Sequence, residues 1–494
     1  MGRSLFSAFW SVASARVIVM VLGAISTPLL TRILGASLYG QYATILAVFG
    51  LLKTLMSSGV VNGAQKYFSE DRDINNWKDY VWAYYSRLGG LLALIVAAIL
   101  VFGSASGVVA SVFGTEYTIY FYLVALWAIV TQYREFTRRV LMGLHLENHS
   151  EKLRIGQQTT FILLAVGLAY FNFGVAGVIT GHIISNILMF TIGIFLVWQK
   201  IDIKAVLRPI PSTFPKKELA FFNHTSIVYI FLLTSLYHVD ILMLQRTVDD
   251  ATVGYYKAAL VLVELLWVAP QSLQQVLIQS VSDLWRTNAI DKINNMAVRA
   301  TRYVLLFTLL CATGLAALAD VFVPFFFGAE YSPAVKPLLF LLPGTLGFAV
   351  ARPILAITHA KGSMKPLIAA TGFTAVLNLV LNALLIPSYG TVGAAVATTI
   401  GYGSLLITQT LCAKYIGYNP VSLRMFLRAA LTVVVAGPII FWLSNLFDGI
   451  ISLIIVPPLG ALIFITTAIL AGGIPRNDLQ KIANQLPDNR FSSL

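Results

Sequence analysis

Apolar stretches of roughly 20 residues recur along the whole chain, separated by short polar or glycine-containing segments. Each is long enough to cross a ~30 Å hydrocarbon core as an α-helix. The pattern predicts spans near residues 9–31, 40–65, 81–103, 118–142, 155–171, 174–198, 219–245, 253–281, 301–325, 335–359, 366–386, 390–413, 427–447 and 450–473. That makes fourteen, with twelve or thirteen left open because only SNLFDG separates the last pair. The expected fold is an all-α polytopic membrane protein.

Charge orders these spans. With the N-terminus inside, the odd-to-even connections hold only Arg32, Arg246 and Lys336, whereas the other connections and both tails hold 26 of the 34 Lys and Arg residues. Arg134, Arg138, Arg139, Lys152 and Arg154 belong to one such inner connection, and Lys200, Lys204, Arg208, Lys216 and Lys217 to the next. This asymmetry follows the positive-inside rule and predicts a multi-pass protein of the cell membrane with both termini cytoplasmic.

Composition agrees: of 494 residues 58% are hydrophobic and 11% charged, with mean hydropathy +0.80. The net charge of +13 reads as topology and contact with an anionic leaflet, not as a nucleic-acid surface. The first apolar run outlasts a signal peptide and is expected to be a retained helix. Phe6 stands where a myristoylation signal needs Ser or Thr. Cys311 and Cys412 lie within spans and imply neither a disulfide framework nor a metal site. The sequons at Asn148 and Asn223 fall on the inner side. No P-loop, HExxH or GxSxG occurs, so neither an ATPase nor another enzyme is expected.

The chain also repeats itself. FGTEY at 113–117 returns as FGAEY at 327–331, an offset of 214. At the same offset Arg32, Gly40 and Tyr42 meet Arg246, Gly254 and Tyr256, and Arg138 and His145 meet Arg352 and His359. FGVAGV at 173–178 meets YGTVGA at 389–394, displaced by 216. A repeat of six spans, an even number, keeps both copies in the same orientation, which predicts two parallel six-helix lobes plus two C-terminal helices. The expected boundaries are lobes at 1–200 and 219–415, a basic linker at 201–218, the last two helices within 416–475, and a tail at 476–494. Gly40 and Gly254 are expected to punctuate tight outer turns.

Ionisable groups inside spans mark pathways by default. The cations are Arg16, Lys53, Arg87, Lys257 and Arg352. Lys53 is about 13 residues, roughly 20 Å, from the inner end of its span, too deep to snorkel comfortably. No acid occupies a span centre in the first lobe, which predicts a positive wall suited to an anion such as phosphate or pyrophosphate. The acids Asp240 and Glu264 sit in the second lobe, with Asn378, Asn382, Thr398 and Thr399 on spans 11 and 12. Their oxygens can hold a hard cation, or simply stitch helices together. Lys257 and Glu264 share a helix face, and Asp240 lies six residues from Arg246; either pair can neutralise itself.

PLLTRILGASLYGQYATI and DILMLQRTVDDATVGYYKAA resemble the two lobe signatures of polysaccharide repeat-unit flippases, Wzx-like proteins of the multidrug/oligosaccharidyl-lipid/polysaccharide exporter superfamily. The resemblance covers essentially the whole chain. It implies a flippase carrying a prenyl-linked oligosaccharide from the cytoplasmic to the outer leaflet, for surface polysaccharide or glycoprotein assembly. Partners so implied are the lipid-linked oligosaccharide, membrane lipids and glycan-assembly enzymes, with the protein working as a monomer. Related lipid II flippases carry cations in helices one, two and eight, which Arg16, Lys53 and Lys257 match; Arg87 and Arg352 have no counterpart. Asp240, Asn378, Asn382 and Thr398 resemble their sodium site, except that Asn382 replaces a carboxylate, leaving Na+ or H+ as the coupling ion. No other cofactor is implied. In such flippases the last two helices line a groove for the lipid tail.

Three alternatives stand beside this reading, one of them a non-transporting membrane scaffold or receptor, against which the deep Lys53 and the two-lobe repeat argue. A cation-coupled exporter of amphiphilic drugs or metabolites predicts an acidic cavity. The major facilitator fold also has parallel six-helix repeats, but its acidic-basic loop after the second helix is not recognisable in SSGVVNGAQKYFSED.

Overall fold

The computed structural model describes residues 5–70 and 72–475. The side chains of residues 5–13, of Arg16 and of residues 221–226, Asn223 included, lie outside the described part, as does the tail from residue 476. The described residues form helices α1 (Leu5–Ser69), α2 (Trp77–Ala105), α3 (Val108–Phe113), α4 (Tyr117–Gly143), α5 (Glu147–Tyr170), α6 (Gly174–Trp198), α7 (Lys216–Leu244), α8 (Asp250–Leu265), α9 (Val268–Arg286), α10 (Ile290–Phe327), α11 (Val335–Ala360), α12 (Met364–Tyr415), α13 (Leu423–Ser444) and α14 (Gly449–Leu470). The fold is all-α and polytopic.

Two of these helices are pairs of spans joined without a loop. α1 breaks at Gly35 (φ 71°, ψ 172°) and α12 at Gly390 (φ 53°, ψ −130°), conformations that glycine reaches without a Cβ clash. α8 and α9 are halves of one crossing bent by 46°. α4 and α5 are long enough to cross, at 27 and 24 residues, but gather charge at their adjoining ends. Counted so, with α3 a short connector, the described helices make the fourteen crossings that hydropathy predicts.

The chain divides into two compact units, Met1–Lys257 with Ile386–Thr391, and Ala258–Leu385 with Val392–Leu494. In the first, α1 packs on α2, α4, α5 and α7, and α6 closes on α4 and α5. In the second, α9, α10 and α11 pack together, and α10 also meets the α13–α14 pair. Glycines set the close approach of α11 to α12: a Cβ on Gly344 would fall 2.4 Å from the Cα of Thr399, and one on Gly347 2.7 Å from the Cα of Gly403.

The repeat is visible in the backbone. Gly114 (φ 116°, ψ 156°) and Gly328 (φ 118°, ψ 154°) end α3 and α10 alike. Phe113 packs on Tyr117 at 5.8 Å between ring centroids and Phe327 on Tyr331 at 5.6 Å, both tyrosines being fully buried. Gly174 and Gly390 share φ near 52–53°. The expectation of outer turns at Gly40 and Gly254 is overturned. Both lie within helices, and a Cβ on Gly40 would meet the backbone carbonyl of Asp250 at 1.7 Å, one on Gly254 that of Ala36 at 2.2 Å. These glycines let α1 and α8 touch backbone to backbone.

The basic segment between α6 and α7 is docked on the first unit. A 3-10 turn, Ile203–Leu207, receives Trp82 Nε1 on the carbonyl of Ile203 at 3.2 Å. Phe214 packs against Trp77, Tyr80 and Tyr84. Arg72 grips both oxygens of Glu218, at 2.8 and 3.1 Å, and lies over the ring of Trp77 at 4.7 Å.

Candidate functional site

The first unit encloses a polar cavity of about 470 Å³ among α1, α4, α5 and α7. Helical spacing aims the lining inward: Lys53, Thr54, Ser57 and Ser58 on α1, then Glu135, Arg138, Arg139 and Met142 on α4. The first turns of α5 add Glu151 and Arg154, and α7 adds Thr234 and His238.

A linked set of charges forms the wall. Glu135 accepts from Arg134 at 2.7 Å and from Arg138 at 3.2 Å, with the ammonium of Lys53 at 3.9 Å. Arg138 reaches Glu151 at 3.3 Å, and Arg154 reaches the other oxygen of Glu151 at 3.5 Å. Arg134 is anchored behind the wall by Asn186 at 2.5 Å. Arg139 donates to the amide oxygen of Gln65 at 2.6 Å, while its Nε is buried with no partner among the described residues. Five cations thus meet two carboxylates, an excess of three positive charges. Such guanidinium and ammonium groups bind phosphate oxygens through charge-assisted hydrogen bonds.

A second cavity, of about 310 Å³, shares Gly50, Lys53 and His238 with the first and is otherwise mainly apolar, with Lys257 on its border. Lys53 and Lys257 therefore border one space. Arg87 and Arg352, also expected there, have partners of their own. Arg87 binds the carbonyls of Val206, at 2.8 Å, and Arg208, and so fastens the basic linker. Arg352 is buried in the second unit, over the ring of Phe348 at 4.5 Å and bonded to Gln274 at 3.3 Å. Arg16 lies on α1 with its side chain outside the described residues.

The expected ion ligands divide likewise. Asp240, in the first unit, is buried and accepts the hydroxyl of Tyr256 at 2.6 Å and the backbone N–H of Ile241 at 2.8 Å. In the second unit, Asn378 donates to the carbonyl of Ala397 at 3.3 Å and to Thr398 Oγ1 at 3.5 Å. Asn382 donates to the carbonyl of Asn378 at 3.0 Å, and its Oδ1 is buried without a partner among the described residues. Two amides and a hydroxyl offer oxygens to a hard cation but no charge. Thr399 instead bonds the carbonyl of Phe340 at 2.5 Å, and Glu264 sits half-buried where α8 bends into α9.

A profile of polysaccharide biosynthesis proteins matches residues 29–336. The chain belongs to that family. An uncharacterized membrane protein of Methanocaldococcus jannaschii is 26% identical over 287 residues, 56% of this chain and 55% of the relative, so the match spans about half of that curated relative's length. Among solved structures, the lipid II flippase MurJ in an inward closed conformation superposes with TM-score 0.71 at 19% identity, over 95% of this chain and 99% of its own. An inward-facing multidrug resistance MATE family transporter of the MOP superfamily gives 0.68 at 13%, over 83% and 98%. A MOP superfamily transporter from Pyrococcus furiosus, described by a reverse polarity of its binding pocket, gives 0.60 at 14%, over 83% and 95%. At 13–19% identity these solved structures share the fold of this chain.

Within this family frame the residues that sequence reasoning passed over are Glu135, Arg138, Arg139, Glu151 and Arg154. They count equally well as inner-end topology charges. The overlooked signal is their spacing: 135, 138, 139 and 142 lie on one helix face, as do 151 and 154. The wall, expected to be positive with no acid at a span centre, holds two carboxylates near helix ends, and its positive excess comes from arginines there.

Proposed function

We propose that the chain is a flippase that carries a prenyl-(pyro)phosphate-linked oligosaccharide from the cytoplasmic to the outer leaflet, for surface polysaccharide or glycoprotein assembly. The observation that carries this reading is the cation-rich cavity, with Arg139 bonded to the amide of Gln65 and Lys53 on both cavities. Family membership and the MurJ-like fold support it. In this reading the phosphate rests on Lys53, Arg138 and Arg139. The glycan crosses by alternating access between lobes 1–200 and 219–415, and the prenyl tail stays in lipid beside the apolar exteriors of α13 and α14. Both termini lie in the cytoplasm, and the lipid-linked oligosaccharide is the principal partner. Coupling to Na+ or H+ through Asp240, Asn378, Asn382 and Thr398 belongs to the same proposal.

An exporter of cationic drugs on this fold needs an acidic cavity, which the excess of positive charge opposes. The test is deletion of the gene followed by extraction of lipid-linked oligosaccharides. Accumulation of a complete lipid-linked unit with loss of the surface glycan is expected, and complementation by Lys53→Ala should fail although the protein is made. An unchanged lipid-linked pool with normal surface glycan overturns the proposal.

A further inference from the structure

We infer that the smaller, apolar cavity is a monosaccharide subsite that receives the sugar joined directly to the phosphate; this rests on the flippase reading. Phe49 and Lys53 are four residues apart on α1 and so stand on one face, and both border this cavity together with Trp127 of α4. A phosphate held at Lys53 in the polar cavity stands at the boundary the two spaces share. The sugar esterified to it, one C–O–P linkage further on, falls against Phe49, which Trp127 backs.

The wall there is built to keep its shape. Phe49 stacks on Trp127 with ring centroids 3.7 Å apart and planes at 15°. Trp127 stacks on His182 at 4.2 Å and His182 on Phe161 at 3.7 Å. Tyr42 fixes the column, its hydroxyl and His182 Nε2 lying 2.8 Å apart. Four rings from α1, α4, α6 and α5 thus form a continuous pile whose end borders the cavity. Aromatic rings carry negative faces that attract the polarised C–H groups of a pyranose, while the sugar hydroxyls need donors and acceptors at the rim. Lys53, Lys257 and His238 supply that rim. His238 is pressed against Gly50, where a Cβ would lie 2.4 Å from its Nε2, and its Nδ1 is buried without a partner among the described residues. The volume of about 310 Å³ is at the small end of ligand pockets and suits one ring. A prenyl tail has no use for two ammonium groups, and an amphiphilic cation is repelled by them. A sugar uses both the apolar wall and the donors.

The test is titration calorimetry of the full-length protein in lipid nanodiscs with inorganic phosphate, glucose 1-phosphate and N-acetylglucosamine 1-phosphate. At least one sugar phosphate is expected to bind about three- to tenfold more tightly than inorganic phosphate. Phe49→Leu and Trp127→Phe should remove that advantage and leave phosphate affinity within about twofold. The ratio in the unaltered protein decides the matter even where a variant fails to fold. Phosphate binding with no gain from either sugar overturns the subsite and leaves the flippase reading standing. A sugar advantage that survives in well-folded Phe49→Leu and Trp127→Phe also overturns it. No binding of phosphate removes the anion site, and the subsite with it.

Discussion

The hydroxyl of Tyr117 donates to the carboxylate of Asp250 at 2.8 Å. The same carboxylate accepts from the amides of Gln245 at 2.6 Å and Gln41 at 2.8 Å. Tyr120 reaches the amide oxygen of Gln41 at 3.1 Å and Thr44 that of Gln245 at 2.7 Å. One acid at the start of α8 thus ties together α1, α4 and the residue that caps α7. Hydrogen bonds to a charged group contribute about 1.5–3 kcal/mol each, and a donor left unpaired costs about 1–3 kcal/mol. Asp250→Ala should therefore lower the melting temperature of the detergent-purified protein, and Asp250→Asn, which keeps one acceptor, should lower it less. Equal melting of Asp250→Ala and the unaltered protein would show that this network does not hold the unit together.

The backbone of Asp250 is constrained as tightly as its side chain. A methyl group on Gly40 would fall 1.7 Å from the Asp250 carbonyl oxygen, and the obstacle is backbone, which cannot rotate away. Gly40→Ala should abolish recovery of monodisperse protein, and Gly254→Ala, aimed at the Ala36 carbonyl, should do nearly as much harm. Gly23→Ala is the control. Nothing lies within 4 Å of its Cβ, and alanine is favoured over glycine in a helix by about 1 kcal/mol, so size-exclusion profiles should be unchanged or improved.

Lys53 and Glu135 separate function from stability. Lys53 stands 3.9 Å from Glu135 with 39% of its side chain exposed, and a pair of that kind contributes about 0–1 kcal/mol. Glu135 holds Arg134, only 7% exposed, at 2.7 Å, and stripping a buried cation of its partner costs about 3–5 kcal/mol. Lys53→Met should fold normally and fail to restore surface glycan. Glu135→Gln should lose thermal stability first, with glycan falling in proportion to the protein that remains. Thermal melting beside a glycan blot distinguishes the two, and glycan at normal levels in Lys53→Met would remove this lysine from the pathway.

How far these features are legible in the sequence depends on what dictates them. The crossings are legible because bilayer thickness fixes the length of each apolar run. The repeat is legible because glycines at 114 and 328, and at 174 and 390, occupy backbone regions other residues avoid. Gly40 and Gly254 mislead because glycine serves both turns and close helix contacts, and only the packing of α8 on α1 decides between them. Arg138, Arg139 and Arg154 mislead for a related reason. An arginine at an inner helix end satisfies topology whichever way it points, and the rotations of α4 and α5 that turn it inward are set by the helices packed on them. Arg87 errs oppositely: a cation within a span suggested a pathway, but its stem reaches out to the carbonyls of the linker.

That linker should respond to acid. Its junction with α7 is held by the Arg72–Glu218 pair, and the hydrogen bonds from Arg72 keep the Glu218 carboxyl below its ordinary value of 4.5. A carboxyl lowered in the folded state adds stability that is fully present above the unfolded value. That stability is lost as pH falls through the folded one. Docking of residues 200–218 should be constant from about pH 8 to pH 5 and weaken only below about pH 4.5. Cleavage after Lys204, Lys216 and Lys217 by an acid-tolerant lysine-specific protease should rise in that window. Arg72→Ala should be cut readily at every pH, and an unaltered protein cut equally at pH 8 and pH 4 would remove the pair from the clamp.

Asn382 bears on the proposed cation site. Its Oδ1 is buried without a partner among the described residues, and its neighbours Asn378 and Thr398 add oxygens but no charge. Hard-cation affinity rises with the number of charged ligands, so in the unaltered protein sodium should raise the melting temperature little beyond an equal concentration of potassium. Asn382→Asp supplies the missing charge at almost the same volume. In potassium it should melt below the unaltered protein, because a lone carboxylate is then buried. In sodium it should recover, so the sodium-minus-potassium difference is larger in the variant. An added Thr398→Ala should reduce that difference again. Should Asn382→Asp respond equally to both salts, the oxygens do not converge on a sodium-sized space.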